Sequence, residues 1–289
     1  MKLSIFSHCA LDTISIEGNS YEQIGGAASY CGLMAREFKF DVNLFTKVGS
    51  DFPKQYLTEH KIKLINSESE KNTTKFSISI SGSDRTLKLE NECDPIEYSN
   101  LDADGHIVSP IFHEISDDVF KKIKSDSNFL FVDPQGFLRQ KDSNNNIILK
   151  KTDLDFSNVN AIKINPEEGQ NIVSGSHDEM MLALQKKGIE HVLLTNKVDV
   201  SLLVKNRVYS LKLPNKNIHD TTGIGDIFCS AFTCTMLKEK DFLWALCFAA
   251  GSAQAALESN NVGLQKIPKK GMVENNASYF YNLVGFRDL

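Results

Sequence analysis

The run Asp220-Thr221-Thr222-Gly223-Ile224-Gly225-Asp226 sets two carboxylates, two hydroxyls and two glycines directly before the apolar Ile227 and Phe228. Glycine at 223 and 225 admits positive φ and lets the backbone come close to a ligand. A helix starting here turns its first N–H groups and the positive end of its dipole toward the same spot. Loop and helix end together make an anion site, suited to a phosphate or to negative charge that develops during a reaction. Asp226 at the helix start is favoured in its ionised form, which suits a base that takes a proton from a hydroxyl. The same residues also read as punctuation, with Asp226 an N-cap and the glycines an ordinary loop.

The elements that must hold such a loop follow a strand–helix rhythm. KLSIFS (2–7) is a first strand, AASYCGLMARE (27–37) a helix preceded by Gly25 and Gly26, and DVNLFTKVG (41–49) a strand with its exit loop. Pro53 opens a helix in SDFPKQYLTEH. Between 73 and 90, Phe76, Ile78 and Ile80 alternate with serines, Leu87 and Leu89 alternate with charges, and Gly82 lies between the runs. That pattern is a hairpin with one apolar face, and an isolated hairpin is marginal, so the face must cover something. HIVSP, FLFVDP, AIKINP and HVLLTN are further short strands, separated by helical stretches such as HDEMMLALQKKG. IFCSAFTCTMLK, DFLWALCFAAGSAQAALE and GMVENNASYFYNLV read as helices, the middle one apolar nearly all round and therefore buried. The KDSNNNIILKK segment (141–151) reads as an exposed loop. Strands alternating with helices predict an α/β fold of three layers, with a mostly parallel sheet covered on both faces. Ligands gather at the carboxyl ends of such strands, and Asp12, Asp133, Asn165 and Thr195 all lie at or just beyond one. We expect one domain over 1–289, with a small β element inserted at about 12–24 and 73–98.

Composition narrows the function. At 41% hydrophobic and 24% charged residues the chain is an ordinary globular one. A net charge of -5 without a basic stripe argues against nucleic acid as a partner. No apolar run reaches the roughly 18 residues needed to span a bilayer, and the N-terminus meets Asp12 too early for a signal peptide. The six cysteines form no C-x-x-C pair, and the seven histidines show no metal spacing, so a reduced, cytoplasmic protein is expected. Trp244 on the apolar helix reads as core. No G-x-x-x-x-G-K-[ST] is present, which excludes a P-loop kinase.

DTTGIGDIF resembles the C-terminal signature of the PfkB/ribokinase carbohydrate kinase family, with Ile224 where that family usually has Ala. GGAASYCGLMAREFKFDVNLFTKVGSDFP (25–53) is similar to its N-terminal signature, and the two stand in the family's order almost 200 residues apart. The resemblance implies a ribokinase-like α/β/α domain and ATP-dependent transfer of a phosphoryl group to a hydroxyl of a sugar or polyol. It makes Asp226 the catalytic base and the backbone of Thr222, Gly223, Ile224 and Gly225 an anion hole. Asn165 and Glu168 match an N-x-x-E motif linked to Mg2+ and phosphate, though Asn165-Pro166 is equally a helix start. Asp12 matches a substrate-gripping aspartate whose carboxylate accepts from two neighbouring hydroxyls, with Gly25 and Gly26 letting the backbone approach the same ligand. The 73–90 hairpin resembles the family's β-sheet lid, which excludes water and offers a homodimer surface.

The chain also departs from that pattern. Tyr30 stands where many members carry Asn, and together with VDPQGFLR (132–139) it resembles the myo-inositol kinase branch, which puts Asp133 and Arg139 at the substrate. An aromatic at 30 equally suits a nucleoside base or the core. In TNKVDVS (195–201), Lys197 and Val200 replace the two glycines of the family's loop beside the nucleotide; Thr195 is retained, and Lys197 is either a phosphate contact or a solvated turn. Asn260 and Gly263 fall where the family closes on adenine. Two alternatives to a sugar or polyol kinase stay open: a nucleoside kinase on the same fold, and a catalytically weak sugar-binding sensor.

Overall fold

The computed structural model describes residues 1–16, 18–81, 84–214 and 220–289; Gly82 and His219 lie outside the described residues. In chain order the strands are β1 (Lys2–Phe6), β2 (Ala10–Ile16), β3 (Asn19–Gly25), β4 (Asp41–Phe45), β5 (Ile62–Ile65), β6 (Lys75–Ser81), β7 (Asp84–Asn91) and β8 (Gly105–Val108). They continue with β9 (Leu130–Val132), β10 (Arg139–Lys141), β11 (Ile147–Leu149), β12 (Ala161–Ile164), β13 (His191–Asn196), β14 (Asp199–Val204), β15 (Arg207–Lys212) and β16 (Gly285–Asp288). The helices are α1 (Ala27–Glu37), α2 (Gln55–Glu59), α3 (Asp117–Asp126), α4 (Gln135–Leu138), α5 (Pro166–Ile172), α6 (His177–Lys186), α7 (Ile224–Glu239), α8 (Phe242–Leu257) and α9 (Lys270–Tyr281).

The large sheet runs β16-β15-β14-β13-β12-β9-β8-β1-β4-β5. From β5 to β13 every pairing is parallel; β14, β15 and β16 extend it by antiparallel pairing. Strand side chains alternate between two cores. Leu3, Ile5, Ile107, Phe131 and Leu193 pack with α1, α7, α8 and α9 on one face. Phe6, Val108, Val132, Val192 and Leu194 pack with α3 and α6 on the other. Burial on both faces is why β8, β9 and β12 are mostly apolar, with only His106 and Lys163 interrupting them, and the three layers match the expected class.

A second sheet, β3-β2-β6-β7, stands beside the large one, with β2 and β6 parallel. The apolar face of the β6–β7 hairpin has found its cover: Phe76, Ile78 and Leu89 pack against Ala27, Ile111 and Phe112. Residues 141–151 are a correction. They are not a free loop but the turn and second strand of a β10–β11 hairpin. Asp142 accepts N–H bonds from Asn144 and Asn146, which closes the turn, and Leu89 N donates to Asn145 O at 3.0 Å, which joins it to β7. The β14–β15–β16 extension was not legible either. Pro53 sits outside its helix: Lys54 is the N-cap and the helix is short.

Candidate active site

The glycine loop enters α7 through Gly223, which is the N-cap in the left-handed region at φ 76°, ψ 0°. Only glycine suits this position. A Cβ there would take up the disfavoured left-handed backbone and lie 2.5 Å from atoms of the Tyr30 ring. Asp226 is the third residue of the helix and makes no capping bond, so the punctuation reading of this residue does not hold. α7 is clamped to α1, since Cys31 Sγ donates to Asp226 O and Ser230 Oγ donates to Cys31 O at 2.8 Å. The Asp226 carboxyl is buried, with its pKa pushed up to about 6. Burial is the main cause and the Asp133 charge adds to it, while Lys163, Arg139 and Lys266 oppose the rise. A carboxylate poised there is basic enough to accept a hydroxyl proton and still ionised at neutral pH.

Asp226 faces a cavity of about 290 Å³ between the carboxyl ends of the large sheet and the small sheet. Thr222, Gly223 and Gly225 line it on one side, and Asp12, Gly26 and Tyr30 on another. Asp133, Arg139, Asn165 and Glu168 complete the wall, and Phe76, Ile78 and Leu87 of the hairpin roof it. Gly25 is just outside but is required by Asp12: a Cβ at Gly25 would lie 1.9 Å from Asp12 Oδ2. Arg139 is positioned by two bonds, from Nη1 to Ile111 O at 2.8 Å and from Nη2 to Gln135 Oε1 at 2.9 Å. Tyr30 is 1% exposed, and its ring lies beneath Gly223. It serves the loop as a platform as well as the cavity as a wall. Its phenol is held protonated, its pKa raised well above the usual value by burial and by Asp220, Asp12 and Asp226.

Asn165 and Glu168 satisfy both of their sequence readings. They close a capping box, with Asn165 Oδ1 accepting from Glu168 N at 2.8 Å and Glu168 Oε2 accepting from Asn165 N at 2.9 Å. Both also line the cavity. Burial raises the Glu168 pKa, against the pull of Lys163. Lys163 is the functional-site residue that sequence reading missed. Its Nζ donates to Asp133 Oδ2 at 2.6 Å, and both side chains are nearly or wholly buried. Burial opposes its charge, but Asp133 and Glu168 outweigh that and hold its pKa well above the ordinary lysine value. The signal was present: a lysine inside the otherwise apolar AIKI strand, buried on both faces, has to be paired.

The donor-side residues are not gathered in the same way. Thr195, Lys197 and Ile224 border a separate crevice of about 120 Å³ with Val200, Leu213 and Phe228. Lys197 takes φ 54° in the turn between β13 and β14, so it occupies a backbone state that glycine adopts without strain. Val200 is buried and pairs with Thr195 across the ladder. Gly263 lies elsewhere, against Gln23 of the small sheet, with its N–H on Asp220 Oδ2 at 3.3 Å. Asn260 is exposed and lines neither space.

Among the described residues no group of three or more His, Cys, Asp or Glu could hold a metal ion. Glu168 with Asn165 nevertheless fits a hard cation that keeps several waters and is shared with donor phosphates, because such a cation takes only one or two protein carboxylates.

The model of the pfkB family of carbohydrate kinases matches residues 17–270. The chain belongs to this family. Among solved structures, a pyrophosphate-dependent kinase of the ribokinase family, complexed with a pyrophosphate analogue and myo-inositol, aligns at TM-score 0.80 and 16% identity over 91% of this chain and 98% of that one. The Arabidopsis thaliana ribokinase complexed with ribose and ATP aligns at TM-score 0.75 and 14% identity, over 96% and 98%. The Methanocaldococcus jannaschii nucleoside kinase aligns at 0.73 and 16%, over 96% and 99%. Comparison with curated proteins returns no significant match. For this pfkB family member the structural likenesses establish the fold, three layers with a mostly parallel sheet. No helix among the described residues is long and apolar enough to cross a membrane, and all six cysteines are buried and free.

Proposed function

We propose that this pfkB family member transfers a phosphoryl group to a hydroxyl of a small sugar or polyol, with the chain working as one kinase domain in the cytoplasm. The observation that carries the reading is the position of Asp226: buried, poised near neutrality, one helical turn from the glycine anion loop and facing a polyol-sized cavity. The acceptor binds against Asp12, whose carboxylate accepts hydrogen bonds from its hydroxyls, and beside Asp133 and Arg139. Asp226 takes the proton of the attacking hydroxyl. The N–H groups of Gly223 and Gly225 at the α7 start stabilise charge on the equatorial oxygens of the transferring group, whereas those of Thr222 and Ile224 are taken up by Asp220 Oδ1 and Thr221 O. The small sheet acts as a lid that excludes water and, through its outer face, as a homodimer surface. Mg2+ with ATP is the donor the family signature implies; Asn165 and Glu168 would hold the cation, which neutralises phosphate charge when bound. Myo-inositol and other cyclitols are the favoured acceptors, since Tyr30, Asp133 and Arg139 all line the cavity.

One observation favours a second donor. Lys197 and Val200 fill the positions of the loop glycines, and the crevice beside them is about 120 Å³, less than half the acceptor cavity. A donor without a nucleoside, such as pyrophosphate, needs no such pocket. The deciding assay is a matrix of acceptors (myo-inositol, ribose, fructose, adenosine, guanosine, cytidine) against MgATP and magnesium pyrophosphate, read as phosphorylated acceptor. Turnover of a nucleoside in preference to a polyol would displace the acceptor assignment. Tight acceptor binding without turnover from either donor would make the chain a sensor.

A further inference from the structure

A second buried lysine stands behind the anion loop, and the transfer chemistry above does not use it. Lys266 ends the 3-10 turn Gly263–Lys266, with its side chain 1% exposed. Its Nζ donates to Asp220 Oδ2 at 2.8 Å and to Asp220 O at 3.1 Å, so one ammonium holds the first residue of the loop by side chain and backbone together. Asp220 Oδ1 accepts the Thr222 N–H at 2.8 Å, and Oδ2 accepts the Gly263 N–H at 3.3 Å. The Tyr30 ring, 5.8 Å from Nζ at its centroid, lies against Gly223. The loop is therefore held by an aromatic plate at Gly223 and a buried cation at Asp220.

A buried ion pair is a poor device for stability alone, because desolvating two charges offsets their attraction, and an apolar pair of the same volume does as well or better. What an apolar pair lacks is a permanent positive charge behind the loop. In a buried setting that charge acts at longer reach than it would in water. It already opposes the burial-driven rise of the Asp226 pKa.

We propose that Lys266 is a positioning residue of the anion hole: its ammonium is a built-in cation that sets the turn from Asp220 to Gly223 and adds positive potential where the transferring phosphoryl group gains charge. The inference rests on the kinase reading above. Lys266 lines neither the 290 Å³ cavity nor the 120 Å³ crevice and acts through Asp220 and the Thr222–Gly223 backbone.

The test compares wild type, Lys266→Met and the double variant Lys266→Met/Asp220→Asn, using the donor and acceptor that the wild type turns over. The double variant leaves no orphan carboxylate, so it decides the matter if the single one fails to fold. We expect kcat to fall roughly a hundredfold in both, the size of losing one charge-stabilising group at such a site, with the acceptor KM changed less than about threefold. The acid limb of the pH–rate profile moves to higher pH in the single variant, because Asp226 loses a neighbouring positive charge; the double variant, which also loses the Asp220 carboxylate, is read on kcat. A double variant with wild-type kcat overturns the inference and leaves the kinase reading intact; Lys266 is then half of a structural pair. A wild type that phosphorylates nothing from either donor ends the kinase reading, and this inference with it.

Discussion

The 290 Å³ cavity proposed for the acceptor and the 195–200 turn proposed for the donor are built under different constraints. Around the 290 Å³ cavity the groups are buried and touch one another: Asp133 with Lys163, Asp12 against Gly25, Gly223 against the Tyr30 ring. Each fixes what its neighbour can be. At the 195–200 turn the backbone is a hairpin corner, and its glycine-like state is filled by an exposed lysine. Buried, mutually dependent positions keep their chemistry, whereas a solvated turn accepts any residue that tolerates its backbone.

The sharpest way to break that contrast is Asp226→Asn, which keeps shape and removes the base. We expect kcat to fall by roughly 10²–10⁴, measured as phosphorylated acceptor per enzyme. A smaller loss would mean that the acceptor side is not the chemical side. The same residue predicts a pH dependence. With its folded pKa raised from 3.8 to about 6, Asp226 must be deprotonated to act, so the rate falls as pH drops through about 6. The stability sign is opposite. Below the unfolded pKa both states hold the proton and nothing is lost; as pH rises from about 4 to about 6 the unfolded chain releases it first and folding weakens by about 3 kcal/mol. Asp226→Asn should therefore raise the melting temperature at pH 8 and leave it unchanged at pH 3.5.

Gly223→Ala comes next. The added Cβ meets the Tyr30 ring and takes a left-handed backbone, so we expect a rate loss of roughly tenfold to a hundredfold and a lower melting temperature. Adding Tyr30→Leu should recover part of the stability, which ties the two signatures physically. Lys163→Met strands the buried Asp133 carboxylate and should destabilise by about 3–5 kcal/mol in a denaturant titration. It should also move the acid limb of the rate to higher pH, because Lys163 lowers the Asp226 pKa. The smallest effect is expected on the donor side. Lys197→Gly should stabilise by about 1 kcal/mol and leave the acceptor KM within about twofold, since it only relaxes a left-handed turn. A large change in acceptor KM would show that the two sides are not separable.

Much of this was legible in the residues. β1, α1, β4, the β6–β7 hairpin, β8, β9, β12, β13, α6, α7, α8 and α9 followed from apolar periodicity, and α1 begins and ends where the AASYCGLMARE run does. Asp133, Asn165 and Asp226 were found because strand ends and helix starts are visible in sequence, and in a parallel sheet those ends converge; Asp12 lines the same cavity but stands inside β2 of the small sheet rather than at a strand end. Residues 141–151 were misread because a polar Asn-rich turn looks like a loop whether or not β7 lies beside it. Asn260 and Gly263 were assigned by family resemblance; Gly263 lies against Gln23 of the small sheet and Asn260 is exposed.

The sequence by itself determined the layers, the glycine loop and the carboxylate that follows it, because these depend on local backbone preference and on the period of apolar residues. Tertiary structure alone decided that Lys163 would meet Asp133, that Lys266 would clasp Asp220 and that Tyr30 would lie under Gly223. Those contacts join residues 30 to 193 positions apart, and they set the charge around Asp226. Burial and Coulomb fields depend on distance through space, which no local pattern encodes.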